Sequence, residues 1–231
     1  MSNWAIIVAA GKSVRFGDVL PKQFHNVAEK PVLAWTIEAF EKARLIEQIV
    51  VVVAEQFQLY VTKEIIDKYK IMKVSKVITG GESRKDSVYN ALKSLPALTK
   101  IVAIHDGARP LILSADIDKV VTAADKHQAA IIAVPVKETV KHIEGDLIVK
   151  TLERDKIWLA QTPQAFGYDL IRRAHEKFNG DDSKSITDDS LLVEKMGISV
   201  RVVEPSGPNT KVTTPEDMNY VETILRMRSN G

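Results

Sequence analysis

The sequence predicts an α/β fold whose mainly parallel sheet is covered by helices on both faces. Apolar runs typical of buried strands alternate along the chain with amphipathic stretches typical of helices. This alternation favours parallel strands joined by helical crossovers. A polar, β-rich segment at Lys137–Leu152 breaks the alternation and predicts a projecting β-hairpin arm. The chain has 231 residues, so we expect one domain over residues 1–231, with the arm over residues 137–152 inside it.

The predicted strands are apolar runs, and we expect the most apolar of them to be buried on both faces. They are Ile6–Val8, Ile49–Ala54, Lys73–Thr79, Lys100–Asp106, Ala129–Val136 and Ile198–Val203.

The predicted helices share an apolar face, a polar cap residue or a proline at the first turn. They are Pro31–Ala43, Ser87–Leu95, a helix capped by Ser114, a helix capped by Thr187 and ended by Gly197, and a last helix opened by the capping box Thr214–Asp217.

The arm has a turn signal at Glu144–Asp146, which separates two short β-rich runs. A two-stranded hairpin is marginally stable alone in water, so we expect the arm to pack on another surface. A second subunit is the surface we expect.

Composition excludes several classes of protein. The chain has 32 basic and 30 acidic residues, a balance too even for a broad nucleic-acid-binding surface. It has no cysteine, which excludes disulfides, a thiolate nucleophile and a sulfur-ligated metal. No apolar run approaches the roughly 20 residues of a membrane span, and the N-terminus lacks a signal-peptide pattern. We therefore expect a cytoplasmic protein that binds neither nucleic acid nor a membrane.

Small residues follow the first strand, and fixed cations follow them. The segment Ala9-Ala10-Gly11-Lys12-Ser13-Val14-Arg15 comes directly after the strand, and Pro21-Lys22-Gln23-Phe24 comes a few residues later. Small side chains let backbone N–H groups approach phosphate oxygens, and Arg15 and Lys22 would add positive charge there. The pattern predicts a nucleotide site; the alternative is an ordinary turn with solvated basic residues.

Two familiar phosphate-binding motifs do not match this segment. A P-loop whose last three residues were Gly11-Lys12-Ser13 would need a glycine at position 6, where the chain has Ile6. A dinucleotide-binding fingerprint beginning at Gly11 needs glycines where Ser13 and Phe16 stand. Any nucleotide site here is therefore of another kind.

Two other predicted strands end in segments that suit a ligand, since open α/β sheets bind ligands at their carboxyl ends. The segments are Gly80–Arg84 and His105–Pro110. Asp106 is placed to hold Mg²⁺, which favours carboxylate and phosphate oxygens, or else is a cap or turn former. Gly80-Gly81 predicts a close approach to a nucleobase or ribose, or a plain turn. The histidines lack metal-ligand spacing, and we interpret His105 as structural.

Nine short motifs occur in one order along nearly the whole chain. They are A-A-G-x-x-x-R at 9–15, P-K-Q at 21–23, G-G-x-x-R-x-x-S at 80–87, H-D-x-A-R-P at 105–110, P-V-x-x-T at 135–139, R-x-x-x-W at 154–158, Q-T-P-Q-x-F at 161–166, T-D-D at 187–189 and N-x-K-V-T-T-P-E-D at 209–217. In this order they resemble the 2-C-methyl-D-erythritol 4-phosphate cytidylyltransferases of the non-mevalonate isoprenoid pathway. The similar ribitol 5-phosphate cytidylyltransferases typically have A-G-G in the first loop and valine where Ala108 stands, so the residues here favour the methylerythritol group.

The resemblance implies a Rossmann-like nucleotidyltransferase domain that transfers CMP from CTP to the polyol phosphate, with Mg²⁺ as cofactor and pyrophosphate as the second product. It implies a homodimer with arm exchange, in which each arm closes the partner's site. It also implies roles for individual residues. The catalytic residues would be Arg15, Lys22, Arg154 and Lys211; the nucleotide-binding residues Ala9, Ala10, Gly11, Gly81, Ser87 and Asp106; the substrate-binding residues Asp106, Arg109, Thr139, Arg154, Thr162 and Lys211; and the metal ligand Asp106.

Three residues depart from the family's usual pattern. Ser13 stands where a second glycine is usual, Gly107 where alanine is usual, and Glu138 where aspartate is usual before Thr139. None of the three removes a cation, the metal ligand or a hydroxyl expected in the site. They bear on substrate detail rather than on the class of reaction.

A nucleotide-sensing module without turnover is the alternative from another class of protein. Such a sensor has no need of groups that stabilise a leaving pyrophosphate, so the combination of Arg15, Lys22, Asp106 and Lys211 disfavours it. The predicted reaction needs no general base, because its nucleophile is a phosphate oxygen already ionised near pH 7.

Overall fold

The computed structural model describes residues 1–11, 20–180 and 185–229, and its centre is a seven-stranded sheet. The strands in chain order are β1 (Ser2–Val8), β2 (Asn26–Val27), β3 (Lys30–Pro31), β4 (Gln48–Val53), β5 (Val74–Thr79), β6 (Thr99–Asp106), β7 (Ala129–Pro135), β8 (Lys141–Glu144), β9 (Leu147–Thr151), β10 (Trp158–Gly167) and β11 (Arg201–Val203). The central sheet has the order β11-β7-β10-β6-β1-β4-β5. All pairs in it are parallel except those of β10, which runs antiparallel to both β6 and β7. The predicted mainly parallel sheet is confirmed.

The helices cover both faces of this sheet, as predicted. They are α1 (Val32–Lys42), α2 (Gln58–Tyr60, continued by a π-helical stretch over Val61–Asp67), α3 (Arg84–Ser94), α4 (Ser114–His127), α5 (Tyr168–Lys177), α6 (Asp189–Glu194) and α7 (Pro215–Ser229). Alternate residues of β1 separate the two cores: Ala5 and Ile7 pack with α1 and α4, while Trp4 and Ile6 pack with α3 and α5. In the described ranges no helix is both long and apolar enough to cross a membrane.

Strand β10 was not predicted, because its sequence contradicts the usual pattern of a central strand. It carries Pro163 and several polar residues, and proline is normally absent from central strands since it cannot donate to the ladder. The structure accommodates Pro163 at an irregularity: pairing with β7 shifts register between Ala160 and Gln164, and pairing with β6 begins only at Gln164. Helix α5 and the helical stretch around α2 were also not predicted.

Several predicted boundaries differ from the structure at the helix caps. Helix α3 begins at Arg84, three residues before the predicted start, because Ser83 and Asp86 form a capping box. Ser114 is the first residue of α4 and makes no side-chain cap bond. The cap of α6 is Asp188 rather than Thr187: its Oδ1 accepts the N–H of Leu191 at 3.0 Å.

Other boundaries agree with the predictions more closely. Gly197 follows α6 with a φ of +76°, a left-handed conformation that favours glycine. Helix α7 begins at Pro215, and Asp217 Oδ2 accepts the N–H of Thr214 at 2.8 Å. Strand β11, in contrast, begins only at Arg201 instead of Ile198.

Strands β8 and β9 form a separate two-stranded antiparallel sheet, so the predicted projecting hairpin is confirmed. Every residue of both strands is exposed in the single chain. The turn contains Gly145 with a φ of +61°, which again favours glycine. The exposed apolar residues of the two strands are Ile143, Leu147, Ile148 and Val149.

Candidate functional site

A cleft of about 980 Å³ opens at the carboxyl ends of β1, β5 and β6, a volume at the upper end of the range typical of small-molecule sites. It is lined by Val8, Ala9, Ala10, Gly11, Lys22, Gln23, Gly80, Gly81, Glu82, Ser83, Arg84, Ser87, Asp106, Ala108, Lys211 and Thr213. The three segments predicted from the strand ends therefore meet, as the parallel sheet requires.

Gln23 fixes the main chain that follows β1. Its side chain is 4% exposed, and its Nε2 donates to the carbonyl oxygens of Ala9 at 2.6 Å and Gly11 at 3.3 Å. The N–H of Ala9 donates to Val52 O at 2.7 Å, which ties the same segment to β4. The motif P-K-Q indicated this part of the site, but Gln23 was not predicted as a functional residue.

The second loop touches the first because Gly80 has no side chain. A Cβ on Gly80 would lie 2.5 Å from Ala10 Cβ and 2.8 Å from Ser87 Oγ. The N–H of Gly81 donates to Ser87 Oγ at 3.0 Å, and that hydroxyl donates to Ser83 O at 2.9 Å. Both glycines and Ser87 thus serve the packing of the cleft wall, whatever they do toward a ligand.

Asp106 is the carboxylate on which the cations of the cleft converge. Arg84 Nε donates to its Oδ1 at 3.0 Å, and Lys211 Nζ donates to its Oδ2 at 2.7 Å. Arg109 Nε lies 3.7 Å from Oδ2. Burial alone would raise the pKa of Asp106, but Arg84, Lys211 and Arg109 together lower it below its usual range. The group is therefore an anion at neutral pH, surrounded by a larger positive charge.

The backbone of Asp106 is held by a chain of buried hydrogen bonds. Its N–H donates to Thr162 Oγ1 at 3.0 Å, and the Thr162 hydroxyl lies 3.1 Å from His105 Nδ1. Burial lowers the pKa of His105 to about 3, so the ring is neutral at pH 7. Its Nε2 then donates to Arg109 O at 3.2 Å, leaving Nδ1 to accept from Thr162. This agrees with the interpretation of His105 as structural.

Arg84 is a site residue that sequence reasoning missed. It lines the cleft and bridges Asp106 to the buried carboxylate of Asp189, whose Oδ2 accepts from Arg84 Nη1 at 2.8 Å. Burial opposes the charged form, but Asp189 and Asp106 outweigh burial and raise the pKa of Arg84. The motif G-G-x-x-R contained the signal, but the predicted start of α3 placed Arg84 in a loop.

The structure brings most of the predicted site residues together. Ala9, Ala10, Gly11, Lys22, Gly81, Ser87, Asp106 and Lys211 line the cleft, and Arg109 and Thr162 contact Asp106. Thr139, inside the arm, and Arg154, just after it, are both exposed and do not line the cleft of their own chain; Arg154 Nη1 donates to Lys137 O at 3.1 Å. Arg15 lies outside the described residues.

The cleft offers a sparse set of oxygen donors for a divalent cation. Within the described ranges no three His, Cys, Asp or Glu side chains converge as metal ligands. Both oxygens of Asp106 already accept from cations, although each carboxylate oxygen can accept a second contact. Because Mg²⁺ is commonly held by one or two carboxylates together with substrate phosphates, Asp106 fits such a site only where nucleotide phosphates complete it.

A mainly parallel sheet that ends in a small-residue loop and a carboxylate bound by cations fits an α/β nucleotidyltransferase, and similarity to known proteins assigns the chain to that class. A family model for the 2-C-methyl-D-erythritol 4-phosphate cytidylyltransferases (IspD) matches residues 4–227. The chain is 42% identical over 225 residues to such an enzyme of Pelotomaculum thermopropionicum. The aligned segment covers 97% of this chain and 94% of that protein. The chain is 41% identical over 225 residues to that of Halalkalibacterium halodurans, with 97% of each chain covered.

Solved structures give the same result. The 4-diphosphocytidyl-2C-methyl-D-erythritol synthase of Anaerococcus prevotii superposes with a TM-score of 0.85 at 31% identity, covering 97% of this chain and 96% of that one. The 2-C-methyl-D-erythritol 4-phosphate cytidylyltransferase of Francisella tularensis superposes with a TM-score of 0.80 at 32% identity, covering 96% and 99%. The chain belongs to the 2-C-methyl-D-erythritol 4-phosphate cytidylyltransferase family.

Proposed function

We propose that the protein transfers CMP from CTP to 2-C-methyl-D-erythritol 4-phosphate, giving 4-diphosphocytidyl-2-C-methyl-D-erythritol and pyrophosphate for non-mevalonate isoprenoid synthesis. The observation that carries this proposal, beside membership of the family, is Asp106 held by Lys211 and Arg84 in a cleft lined by the Ala9–Gly11 loop. The cytoplasmic location expected from the sequence is part of this proposal.

The chemical difficulty of this reaction is the repulsion between two phosphates and the charge that develops at the α-phosphorus. Lys22 and Lys211 both line the cleft, so their charges are available to phosphate oxygens there. Arg15, which follows the Ala9–Gly11 loop in sequence, has the same proposed role. Backbone N–H groups of the loop would hold the phosphates, and Gly81 and Ser87 the cytidine.

Mg²⁺ is the cofactor that we assign, with Asp106 and the nucleotide phosphates as its ligands. When bound, the cation would neutralise part of the charge on the triphosphate and the leaving pyrophosphate. Independently of the cation, Lys211 and Arg84 orient the carboxylate of Asp106 through their hydrogen bonds at 2.7 Å and 3.0 Å.

The polyol phosphate would be held by cations, hydroxyls and one carboxylate around the cleft. We assign this role to Asp106, Arg109, Thr139, Arg154, Thr162 and Lys211. The planar guanidinium of arginine suits phosphate oxygens in a bidentate arrangement. Thr139 lies in the arm and Arg154 just after it, and neither lines the cleft of its own chain, so in this proposal they act on the cleft of a partner subunit.

A homodimer with exchanged arms follows from that assignment. The arm exposes Ile143, Leu147, Ile148 and Val149, with relative exposures of 54%, 72%, 63% and 50%. A two-stranded sheet that exposes apolar side chains is marginal in water, and a second copy of the chain would cover them. The same contact would bring Arg154 and Thr139 to the partner's site.

The proposal is tested by pyrophosphate release with CTP, ATP, GTP or UTP, each combined with methylerythritol phosphate or ribitol phosphate. We expect release to require CTP and methylerythritol phosphate together. A much higher kcat/KM with ribitol phosphate would replace the substrate but keep the class of reaction. CTP binding without pyrophosphate release from any pair would identify the nucleotide-sensing alternative.

A further inference from the structure

A buried network of polar and charged side chains lies behind the cleft and ends on Asp106. Arg84 connects Asp106 to Asp189, and Asp189 Oδ1 lies 3.2 Å from His175 Nε2. The side chains of Asp189 and His175 are 2% and 1% exposed, and neither lines the cleft. Within this network, Arg84 contacts the buried Asp189 and also lines the cleft.

Asp189 is fixed by its own backbone as well as by Arg84. The N–H groups of Asp189 and Ser190 both donate to Gln164 Oε1 at 3.0 Å. Gln164 belongs to the central strand β10 and is 1% exposed. The carboxylate of Asp189 is therefore anchored to the sheet, and it provides a fixed point for the guanidinium of Arg84.

Stability alone is a weak reason for this arrangement. Burying an ion pair costs desolvation that its attraction often fails to exceed, and well-packed apolar side chains commonly stabilise a protein as much. Arg84 Nη2 is also buried without a hydrogen-bond partner in the described part of the chain. The guanidinium is therefore oriented by its two carboxylates rather than placed where all its donors are satisfied.

We propose that Arg84 and Asp189 are positioning residues for Asp106. Asp189 holds the guanidinium in place, and the guanidinium holds Oδ1 of Asp106 so that Oδ2 faces Lys211. Their effect on turnover rests on the proposed function, in which Asp106 and Lys211 act on the phosphates. A misplacement of about 1 Å at a reacting group can cost on the order of a hundredfold in rate.

The test uses Arg84→Lys and Asp189→Asn, with Asp116→Asn as a matched control. Lysine keeps the charge but has no fork to bridge two carboxylates. Asparagine keeps the shape of Asp189. Its amide N–H can donate to His175 Nε2 once the ring proton moves to Nδ1, and this change breaks no hydrogen bond because His175 Nδ1 has none in the described structure. Asp116 is equally buried, at 1%, but its carboxylate accepts from Ser206 and Lys119, away from the cleft.

We expect Arg84→Lys and Asp189→Asn each to lower kcat on the order of 10- to 100-fold, with a smaller change in the KM for CTP. The double variant should be little worse than either single one, because the two residues act as a unit. Asp116→Asn should lose stability and keep kcat. Rates are normalised to the folded fraction, counted by CTP-binding stoichiometry.

Each other outcome has a definite meaning. Unchanged kcat in folded Asp189→Asn, or a loss of the same size in Asp116→Asn, would overturn the positioning role. Failure of both Arg84→Lys and Asp189→Asn to fold would assign the network to stability and also overturn it. An inactive wild-type protein in the same assay would instead be a failure of the proposed function.

Discussion

At the scale of single residues, three cations converge on one carboxylate at the cleft. Asp106 is paired with Lys211 and Arg84, and Arg109 is nearby. The anion keeps these cations ordered before a ligand arrives, so little reorganisation is needed when phosphates enter. Lys22 lines the same cleft, so in the proposed function its charge would also act on the triphosphate.

Lys22→Ala is expected to act on the transition state more than on substrate binding. Removing one preorganised charged donor typically lowers kcat by about 10²–10³-fold, and we expect a smaller rise in the KM for CTP. Steady-state kinetics measure both quantities. Lys63→Ala is the control, because Lys63 forms an exposed pair with Asp67 away from the cleft. A change confined to KM would mean that Lys22 binds substrate and transition state equally.

Individual site residues were predictable where the sequence placed them at a strand end. Asp106 and Gly80-Gly81 follow apolar runs, so their convergence follows from a parallel sheet. Gln23, Arg84 and Asp189 were not predicted as site residues. Their roles depend on hydrogen bonds between distant segments, such as the 105-residue separation of Arg84 and Asp189, which no local pattern contains.

At the scale of elements, the shape of the cleft depends on close contact between the loops after β1 and β5. Gly80 packs against Ala10 and Ser87, at distances that exclude a methyl group. Because Ser87 also accepts from the N–H of Gly81, a shift of Gly80 would move both the Ala9–Gly11 loop and the cleft wall beside it. The contact joins the packing of two elements to the geometry of one site.

Gly80→Ala is therefore expected to destabilise the protein and to reduce kcat/KM. Overpacking of this kind typically costs about 1–3 kcal/mol of unfolding free energy. Denaturant unfolding and steady-state kinetics measure the two effects. Gly180→Ala is the matched control, since an added Cβ there meets no atom of the described residues within 4 Å and the φ is not in the left-handed region. Equal behaviour of the two variants would contradict the close contact.

The elements that were predictable are those whose local pattern agrees with their environment. Strands β4, β6 and β7 are apolar on both faces and buried on both faces, so their composition identified them. Strand β10 is central but polar where Thr162 accepts from Asp106 and Gln164 accepts from Asp189, so these long-range hydrogen bonds override the strand pattern there. Helix α3 began earlier than predicted because its cap is Ser83 rather than a residue nearer the apolar face.

At the scale of the whole molecule, the proposed site needs more than one chain. Thr139 is exposed in the arm and Arg154 just after it, whereas Lys22 and Asp106 line the cleft. If two chains exchange arms, each site combines the cleft of one chain with the arm of the other. Complementation between two defective chains can detect such sharing.

Mixing Arg154→Ala with Lys22→Ala protein under subunit exchange is expected to restore activity. Statistical mixing makes about half of the dimers heterodimers, each with one intact site, so about one quarter of wild-type activity should return. Mixing Lys22→Ala with Asp106→Asn is the control: both lesions lie in the cleft of one chain, so no intact site forms. Proven heterodimers without recovery in the first mixture would place Arg154 in its own chain's site or outside any site.

The position of bond formation in CTP is the most direct test of cytidylyl transfer. The protein is incubated with methylerythritol phosphate and CTP labelled with ³²P at either the α- or the γ-phosphate, and the products are separated. We expect the α-label in the polyol product and the γ-label in pyrophosphate, because attack at the α-phosphorus expels the other two phosphates. A γ-label in the polyol product, or labelled CMP with no polyol product, would contradict the account.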